Sequence, residues 1–378
     1  MSKSNKRNKK IYLDYAASVS SNPSSIHEFG LLAKQKLENA RHEVASVLGA
    51  RSEEIIFTSG GTESNNLAIQ GIVYGIGVPL PHIITTNIEH PSVLETFKIL
   101  EKRKLAQISI VPVEINGIVD PKKIKKEIKK NTVLVSVMYA NNEIGTIQPI
   151  KEIVREIRHY KKINKRNNIF FHTDAIQAVN YLDLNVEKLG VDMLALSGSK
   201  MDGAGRVGVL YKKNSVSLSP VFGGGDQEMG LRPGTENLDA ILKFSVAITQ
   251  IQKIKEKEIK RLKILQNYFF KKVMALGAII NGDLENRLPN NVNVTFSKIP
   301  SDLLVIELSA KGIMISSKSA CKSSHAEGSY VIKALRPASD PEIGGLRFSF
   351  GEKTTKQDID YTVKIISEIL TKLKKWYS

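Results

Sequence analysis

The sequence feature that most restricts the fold is the alternation of short β-rich runs with helical stretches through the first two thirds of the chain. Between the runs, apolar residues recur at helical spacing, as at Val154 and Ile157. This alternation predicts a mostly parallel sheet covered by helices, whose ligands bind at the carboxyl ends of the strands. We predict seven strands, at residues 55–57, 82–86, 107–113, 132–139, 169–172, 193–196 and 208–211.

The pattern changes near residue 238, where a long helical region rich in Lys and Ile begins and runs to about residue 276. Shorter elements follow, including predicted strands at 291–296, 313–316 and 346–350. Thr355 and Asp358 fit a capping box for a last helix. We therefore predict a large α/β domain over residues 15–252 and a smaller α+β domain over 253–378. Residues 1–14 are expected to pack on the small domain.

Composition excludes several classes of protein. No apolar run approaches the ~18 residues of a membrane helix, and the N-terminus lacks the apolar stretch of a secretory signal. A single cysteine, Cys321, excludes an intrachain disulfide and Cys-rich metal sites. We expect a cytoplasmic protein without a bound metal.

The formal net charge of +17 comes largely from lysines on amphipathic stretches such as residues 122–130. We interpret these as solvated helix surfaces and expect no direct nucleic-acid partner. Attraction to an acidic protein or to tRNA is the alternative.

A candidate phosphate site follows the first predicted strand, at residues 58–66. Gly60 and Gly61 let the backbone approach a ligand closely, and the free amides of a helix start favour a phosphate. The hydroxyl of Thr62 adds a donor. A plain strand-to-helix turn would use the same residues, so this motif alone is a weak signal.

Three chemically distinctive residues follow other predicted strands. His90 is suited to stack on a flat ring and to transfer protons near neutral pH. Asp174 is suited to keep a pyridine nitrogen protonated, although a helix N-cap is its ordinary role. Lys200, 26 residues after Asp174, is suited to form a Schiff base. Each has a structural explanation alone, whereas together they favour a catalytic site.

Three further features lie towards the C-terminus. The glycine-rich residues 223–235 offer Arg232 and Thr235 as phosphate or interface groups. Cys321 lies in a small, polar and basic segment whose Lys and His residues favour the nucleophilic thiolate. Arg347, in a predicted strand, needs an anionic partner if it is buried, and a substrate carboxylate is suitable.

Read in order, these motifs resemble the cysteine desulfurases, a branch of the class V aminotransferase family with the fold-type I architecture of enzymes that use pyridoxal 5'-phosphate (PLP). The similarity extends from residues 11–17 to the last helix. The segment around Cys321 resembles the branch that serves iron–sulfur cluster assembly and tRNA thiolation. The resemblance implies a PLP enzyme that converts L-cysteine to L-alanine.

The resemblance implies a binding residue for each part of PLP. Gly61, Thr62 and Ser197 would hold the phosphate. Asn142 and Gln177 would contact the hydroxyl side of the ring.

The remaining cofactor contacts are implied in the same way. His90 would stack on the ring and handle protons, Asp174 would pair with the ring nitrogen, and Lys200 would form the Schiff base. Thr235 would reach the phosphate bound by a partner subunit, which implies a homodimer.

For the substrate, Arg347 and Asn142 would bind the cysteine carboxylate, and Cys321 would take the sulfur as a persulfide. An acceptor protein, such as an iron–sulfur scaffold or a tRNA-thiolation enzyme, would then receive it. The alternatives are a selenocysteine lyase, another class V aminotransferase-fold enzyme, or a non-catalytic paralogue in sulfur transfer.

The chain departs from the family pattern at several positions. Ser199 precedes Lys200 where the family usually has His, and Met229 stands where Arg is common. Residues 203–206 replace a Gly-Pro-Lys stretch, and a segment about one helix long is missing after Ala17. Because Ser199 removes a phosphate donor, we predict weaker PLP binding than in relatives with His.

Overall fold

The computed structural model describes residues 10–19, 21–166, 168–317, 328–338 and 343–377. Cys321 lies outside the described residues, so its predicted role is not located in the structure. In the described parts of the chain, no helix has both the length and the apolar character needed to cross a membrane.

Seven strands form one sheet in the order β1-β7-β6-β5-β4-β2-β3. β7 pairs antiparallel with β1 and with β6, and the other four pairings in this sheet are parallel, so the predicted mostly parallel sheet is confirmed. The strands are β1 Ile55–Thr58, β2 His82–Thr86, β3 Gln107–Val111, β4 Thr132–Ser136, β5 Phe170–Asp174, β6 Met193–Ser197 and β7 Gly208–Lys212.

Helices cover both faces of this sheet. Successive residues of β1 point to opposite sides, so Ile55 and Phe57 join one apolar cluster and Ile56 joins another. The helices are α1 Glu28–Leu48, α2 Gly61–Gly75, α3 Pro91–Lys102, α4 Pro121–Lys126, α5 Ile150–Ile163, α6 Val186–Leu189, α7 Leu238–Ala275, α8 Ser301–Ser309, α9 Tyr330–Leu335 and α10 Lys356–Leu373. The first cluster contains residues of α1, α5 and α7, and the second contains residues of α2 and α3.

A second sheet is antiparallel, with the order β10-β9-β8. Its strands are β8 Ile279–Ile280, β9 Asn291–Thr295 and β10 Leu346–Ser349. A third apolar cluster joins it to α8, α10 and the second half of α7. The predicted strand at 313–316 is wrong, since only Ser316 pairs, through an isolated bridge to Arg347.

The 38-residue helix α7 contributes residues to both the first and the third apolar clusters. Its buried residues fall into two groups. The first ends at Ile248, and the second begins at Leu262. The predicted division after residue 252 lies between them and stays a prediction. Of the N-terminal segment, Tyr12 contacts His27 and Phe29 at the start of α1, and its predicted packing on the small domain also stays a prediction.

Candidate active site

A cavity of about 960 Å³ lies at the carboxyl ends of the parallel strands, between the large sheet, α7 and β10. Thr235 is not among its lining residues and is exposed in the loop before α7. The predicted site residues that line the cavity are Gly61, Thr62, His90, Asn142, Asp174, Gln177, Ser197, Lys200 and Arg347. The fold therefore brings together residues that are up to 286 positions apart in the sequence.

The candidate phosphate end of the cavity is the start of α2. A Cβ atom on Gly61 would lie 2.1 Å from Cδ1 of Ile176 and 3.3 Å from Cβ of Ser197, so a side chain there would force a rearrangement. Beside it, Oε2 of Glu63 accepts a hydrogen bond from the Ser59 amide at 2.7 Å, and its Oε1 lies 3.0 Å from Nε of Arg232. Burial opposes ionisation of Glu63, but these bonds outweigh it and lower its pKa.

Hydroxyl groups complete this end of the cavity. Oγ of Ser197 lies 3.0 Å from Oγ of Ser199, and both residues line the cavity with Thr62. Hydroxyls and helix-start amides form a donor set suited to a phosphate.

Asp174, which also lines the cavity, is buried at the end of β5. Its Oδ1 accepts a hydrogen bond from the Ile176 amide at 3.0 Å, and its Oδ2 accepts one from Nδ2 of Asn65 at 2.8 Å. Burial raises the pKa of Asp174, and the neighbouring His90 and Lys200 oppose this effect. A buried carboxylate in this position is stabilised by a cationic partner, such as a protonated pyridine nitrogen.

The imidazole of His90 is held at the start of α3. Its Nδ1 accepts a hydrogen bond from the Ser92 amide at 3.1 Å and lies 2.9 Å from Oγ of Ser92. Because Nδ1 acts as an acceptor, the neutral ring carries its proton on Nε2. Burial lowers the pKa of His90, although the nearby Asp174 opposes this shift.

Lys200 ends a short helical turn, Gly198–Lys200, directly after β6. Its backbone carbonyl accepts a hydrogen bond from Nδ2 of Asn180 at 2.7 Å. Elsewhere in the cavity lining, the carbonyl of Asn142 accepts a hydrogen bond from Nη1 of Arg347 at 3.0 Å. The side-chain Oδ1 of Asn142 is buried and has no hydrogen-bond partner among the described residues.

These groups fit a phosphorylated pyridine aldehyde. The cavity lining offers hydroxyls and helix-start amides, a buried carboxylate in Asp174, an amine in Lys200 and, in Asn142, an acceptor without a described partner. PLP presents the matching phosphate, ring nitrogen, aldehyde and ring hydroxyl.

Sequence reasoning missed two residues that hold the site together. Asn65, which bonds Asp174, lies one helical turn after Gly61, so the i, i+4 spacing within residues 58–66 was an available signal. Asn180 lies on the segment after β5, and nothing in its sequence context distinguishes it.

Glu89, the residue before His90, is a fully buried carboxyl group. It accepts hydrogen bonds from the Thr86 hydroxyl at 2.7 Å and from the Met138 amide at 2.9 Å. Burial raises its pKa to about 8, and the neighbouring Asp174 adds to the increase. The native protein therefore keeps this proton over a pH range in which the unfolded chain releases it.

We expect the free energy of unfolding of the apo protein to fall as the pH rises from about 6.5 to 8. In this window Glu89 keeps its proton in the native state and has lost it in the unfolded state. Glu89 therefore lowers the free energy of unfolding by about 1.4 kcal/mol for each unit by which the pH rises. The buried His82 and His172, with pKa values lowered to about 4 and about 3, affect stability below this window. Urea unfolding of Glu89→Gln should show a flatter pH dependence, and an unchanged slope would contradict the assignment.

A family model described as aminotransferase class-V matches residues 5–362. The chain belongs to the class V aminotransferases. Enzymes of this family depend on PLP. Cysteine desulfurase IscS of Dictyoglomus turgidum is 40% identical over 385 residues, which cover 97% of this chain and 96% of the relative.

Two solved structures agree with this class V assignment. A NifS-like protein is 36% identical and superposes with a TM-score of 0.85, over 93% of this chain and 92% of that one. SspA in complex with cysteine is 30% identical, with a TM-score of 0.73, over 87% and 90% of the two chains. The predicted family and fold are confirmed, and the chain is placed among the cysteine desulfurases.

Proposed function

We propose that this chain uses PLP to convert L-cysteine to L-alanine and retains the sulfur as a persulfide on Cys321. The observation that carries the proposal is the meeting of Lys200, Asp174, His90 and Arg347 around one cavity. Its fit to PLP adds support, as does the similarity to proteins named cysteine desulfurases.

Bound PLP would supply an electron sink for the carbon atom next to the substrate amine. Lys200 would hold it through Nζ, and Asp174 would keep its ring nitrogen protonated. Gly61, Thr62 and Ser197 would hold the phosphate. Asn142 and Gln177 would contact the ring hydroxyl side.

The chain's own residues would then act on cysteine. The guanidinium of Arg347, beside Asn142, would bind the carboxylate. Lys200 or His90 would move the α-proton, because both line the cavity and carry groups that exchange protons. The Cys321 thiolate would attack the substrate sulfur, the carbon–sulfur bond would break, and the carbon would take up a proton to give alanine.

Three finer points belong to the same proposal. Thr235, exposed in the loop before α7, would reach the cofactor phosphate of a partner subunit in a homodimer. A persulfide carrier requires a reduced thiol, so we place the reaction in the cytoplasm. The sulfur would pass to an acceptor protein, such as an iron–sulfur scaffold or a tRNA-thiolation enzyme.

We expect Ser199→His to lower the PLP dissociation constant by about 10- to 100-fold, since an added hydrogen bond to a charged group is worth about 1.5–3 kcal/mol. The Ser199 hydroxyl lies against that of Ser197, in the candidate phosphate end of the cavity. Titration of the apo protein with PLP, followed by absorbance, measures the constant. An unchanged constant would show that another group already supplies the donor.

The experiment that tests the proposed function compares the parent enzyme with Cys321→Ser. With cysteine and a reductant, the parent should form alanine and sulfide in equal amounts, and the variant should lose more than about 99% of both because the chain has no other thiol to act as nucleophile. Sulfide release by the variant at the parent rate would overturn the role of Cys321. Activity on selenocysteine alone, or amino transfer that persists in the variant, would favour one of the alternative enzymes.

A further inference from the structure

Glu143 is a buried carboxyl group, 2% exposed, that the proposed reaction does not use. It follows Asn142 in the turn after β4. The side chain of Asn141 holds this turn, because its Oδ1 accepts a hydrogen bond from the Glu143 amide at 2.8 Å and its Nδ2 donates to the carbonyl of Ile88 at 2.8 Å.

The carboxylate of Glu143 contacts the start of α9. Its Oε2 accepts a hydrogen bond from the hydroxyl of Ser329, which is the N-cap of α9 and accepts a bond from the Ile332 amide at 3.2 Å. The next residue, Tyr330, donates its hydroxyl to the carbonyl of Glu89 at 2.6 Å. The first turn of α9 is therefore attached beside both Asn142 and His90.

The backbone of the same turn binds the small sheet. The carbonyl of Glu143 accepts hydrogen bonds from Nδ2 of Asn291 and of Asn293, each at 3.0 Å. The carbonyl of Asn142 accepts the bond from Arg347, which pairs with Asn293 between β10 and β9. Glu143 thus lies where α9, β9 and β10 meet the turn that carries Asn142.

We propose that Glu143 is a positioning residue for sulfur transfer. Ser329 follows Cys321 by eight residues in the sequence. By accepting a hydrogen bond from Ser329, Glu143 fixes the start of α9 relative to Asn142 and Arg347. It touches neither substrate nor cofactor in this role. The inference rests on the proposed function of Cys321.

The test uses the holoenzyme and two rates. The first is the appearance of sulfur on Cys321 in a single turnover with cysteine. The second is exchange of the α-hydrogen of alanine with deuterated solvent, which needs the cofactor site but no thiol. Glu143→Ala and Ser329→Ala should slow the first rate by about 10- to 100-fold, as misplacement of reacting groups does, and leave the second unchanged.

Conservative variants and unfolding midpoints distinguish a positioning role of Glu143 from a role in stability alone. Glu143→Gln keeps an acceptor for Ser329, and Ser329→Thr keeps the hydroxyl, so both should retain most of the transfer rate. If Glu143→Ala fails to fold, Ser329→Ala decides. A lowered unfolding midpoint with both rates unchanged, or an equal loss of both rates, would overturn the inference. A parent enzyme that places no sulfur on Cys321 would overturn the proposed function and this inference with it.

Discussion

Replacing Lys200 by alanine is expected to lower alanine formation from cysteine by about 10²–10⁴-fold, the range for loss of a proton-transferring group. The proposal gives this lysine two tasks, holding PLP and moving a proton. The turn Gly198–Lys200 and the hydrogen bond from Asn180 fix its backbone at the carboxyl end of β6. Borohydride reduction, which makes the link between PLP and a lysine amine permanent, should label the parent enzyme and leave Lys200→Ala unlabelled.

Lys255 provides a matched control because it lines the same cavity from α7, and its amine donates a hydrogen bond to the carbonyl of Leu182. Lys255→Ala should therefore retain the borohydride label. Labelling that persists in Lys200→Ala and disappears in Lys255→Ala would show that PLP is linked to Lys255, and would contradict the assignment to Lys200.

Arg41→Ala is expected to lower the free energy of unfolding by about 3–5 kcal/mol, the usual cost of removing one partner of a buried ion pair. Both nitrogens Nη1 and Nη2 of Arg41, on α1, lie 2.8 Å from the two carboxylate oxygens of Glu228. The side chains are 7% and 1% exposed, so the carboxylate would be left buried without its cation. Among the described residues, the Glu228 carboxylate would still accept a hydrogen bond from the Phe57 amide at 2.7 Å.

Urea unfolding of the apo protein measures this loss. Lys98→Ala is the control, because Lys98 and Glu95 form an exposed pair on α3, and such pairs contribute about 0–1 kcal/mol. Glu228→Leu combined with Arg41→Met should cost less than Arg41→Met alone, since no unpaired charge remains. A loss below about 1 kcal/mol for Arg41→Ala would contradict the buried-pair assignment.

The ion pair between Arg41 and Glu228 also stabilises the backbone of the glycine-rich loop. Glu228 and Met229 adopt positive φ angles of 47° and 61°, which cost side-chain-bearing residues energy. The bonds to Glu228 hold this backbone in place, so Arg41→Ala should also loosen the loop that carries Arg232 and Thr235.

Much of the large sheet was predictable because its central strands are buried on both faces and read as short continuous apolar runs. Polar residues directly after such runs had to meet at one edge, which is why His90, Asp174 and Lys200 were found. The two-residue strand β8 was missed because it is too short to show a period. The strand predicted at 313–316 failed because a local run does not reveal whether a pairing partner lies beside it.

Contacts between distant residues were beyond sequence reasoning. Arg41 and Glu228 are 187 positions apart, and Glu143 and Ser329 are 186 apart. Each of these residues taken alone looks like an ordinary polar residue of a helix or loop. Their pairing depends on how the helices and the second sheet pack, which no local pattern encodes.

The measurement that tests the central claim most directly is the mass of the peptide containing Cys321 after the holoenzyme reacts once with cysteine that carries a heavy sulfur isotope. Our account predicts one labelled sulfur atom on that peptide and an equal amount of alanine in solution. It also predicts that Lys200→Ala, mixed with the same substrate for the same time, gives less than about 1% of either product. Alanine formed without labelled sulfur on the Cys321 peptide, or no alanine from the PLP-loaded parent enzyme, would contradict it.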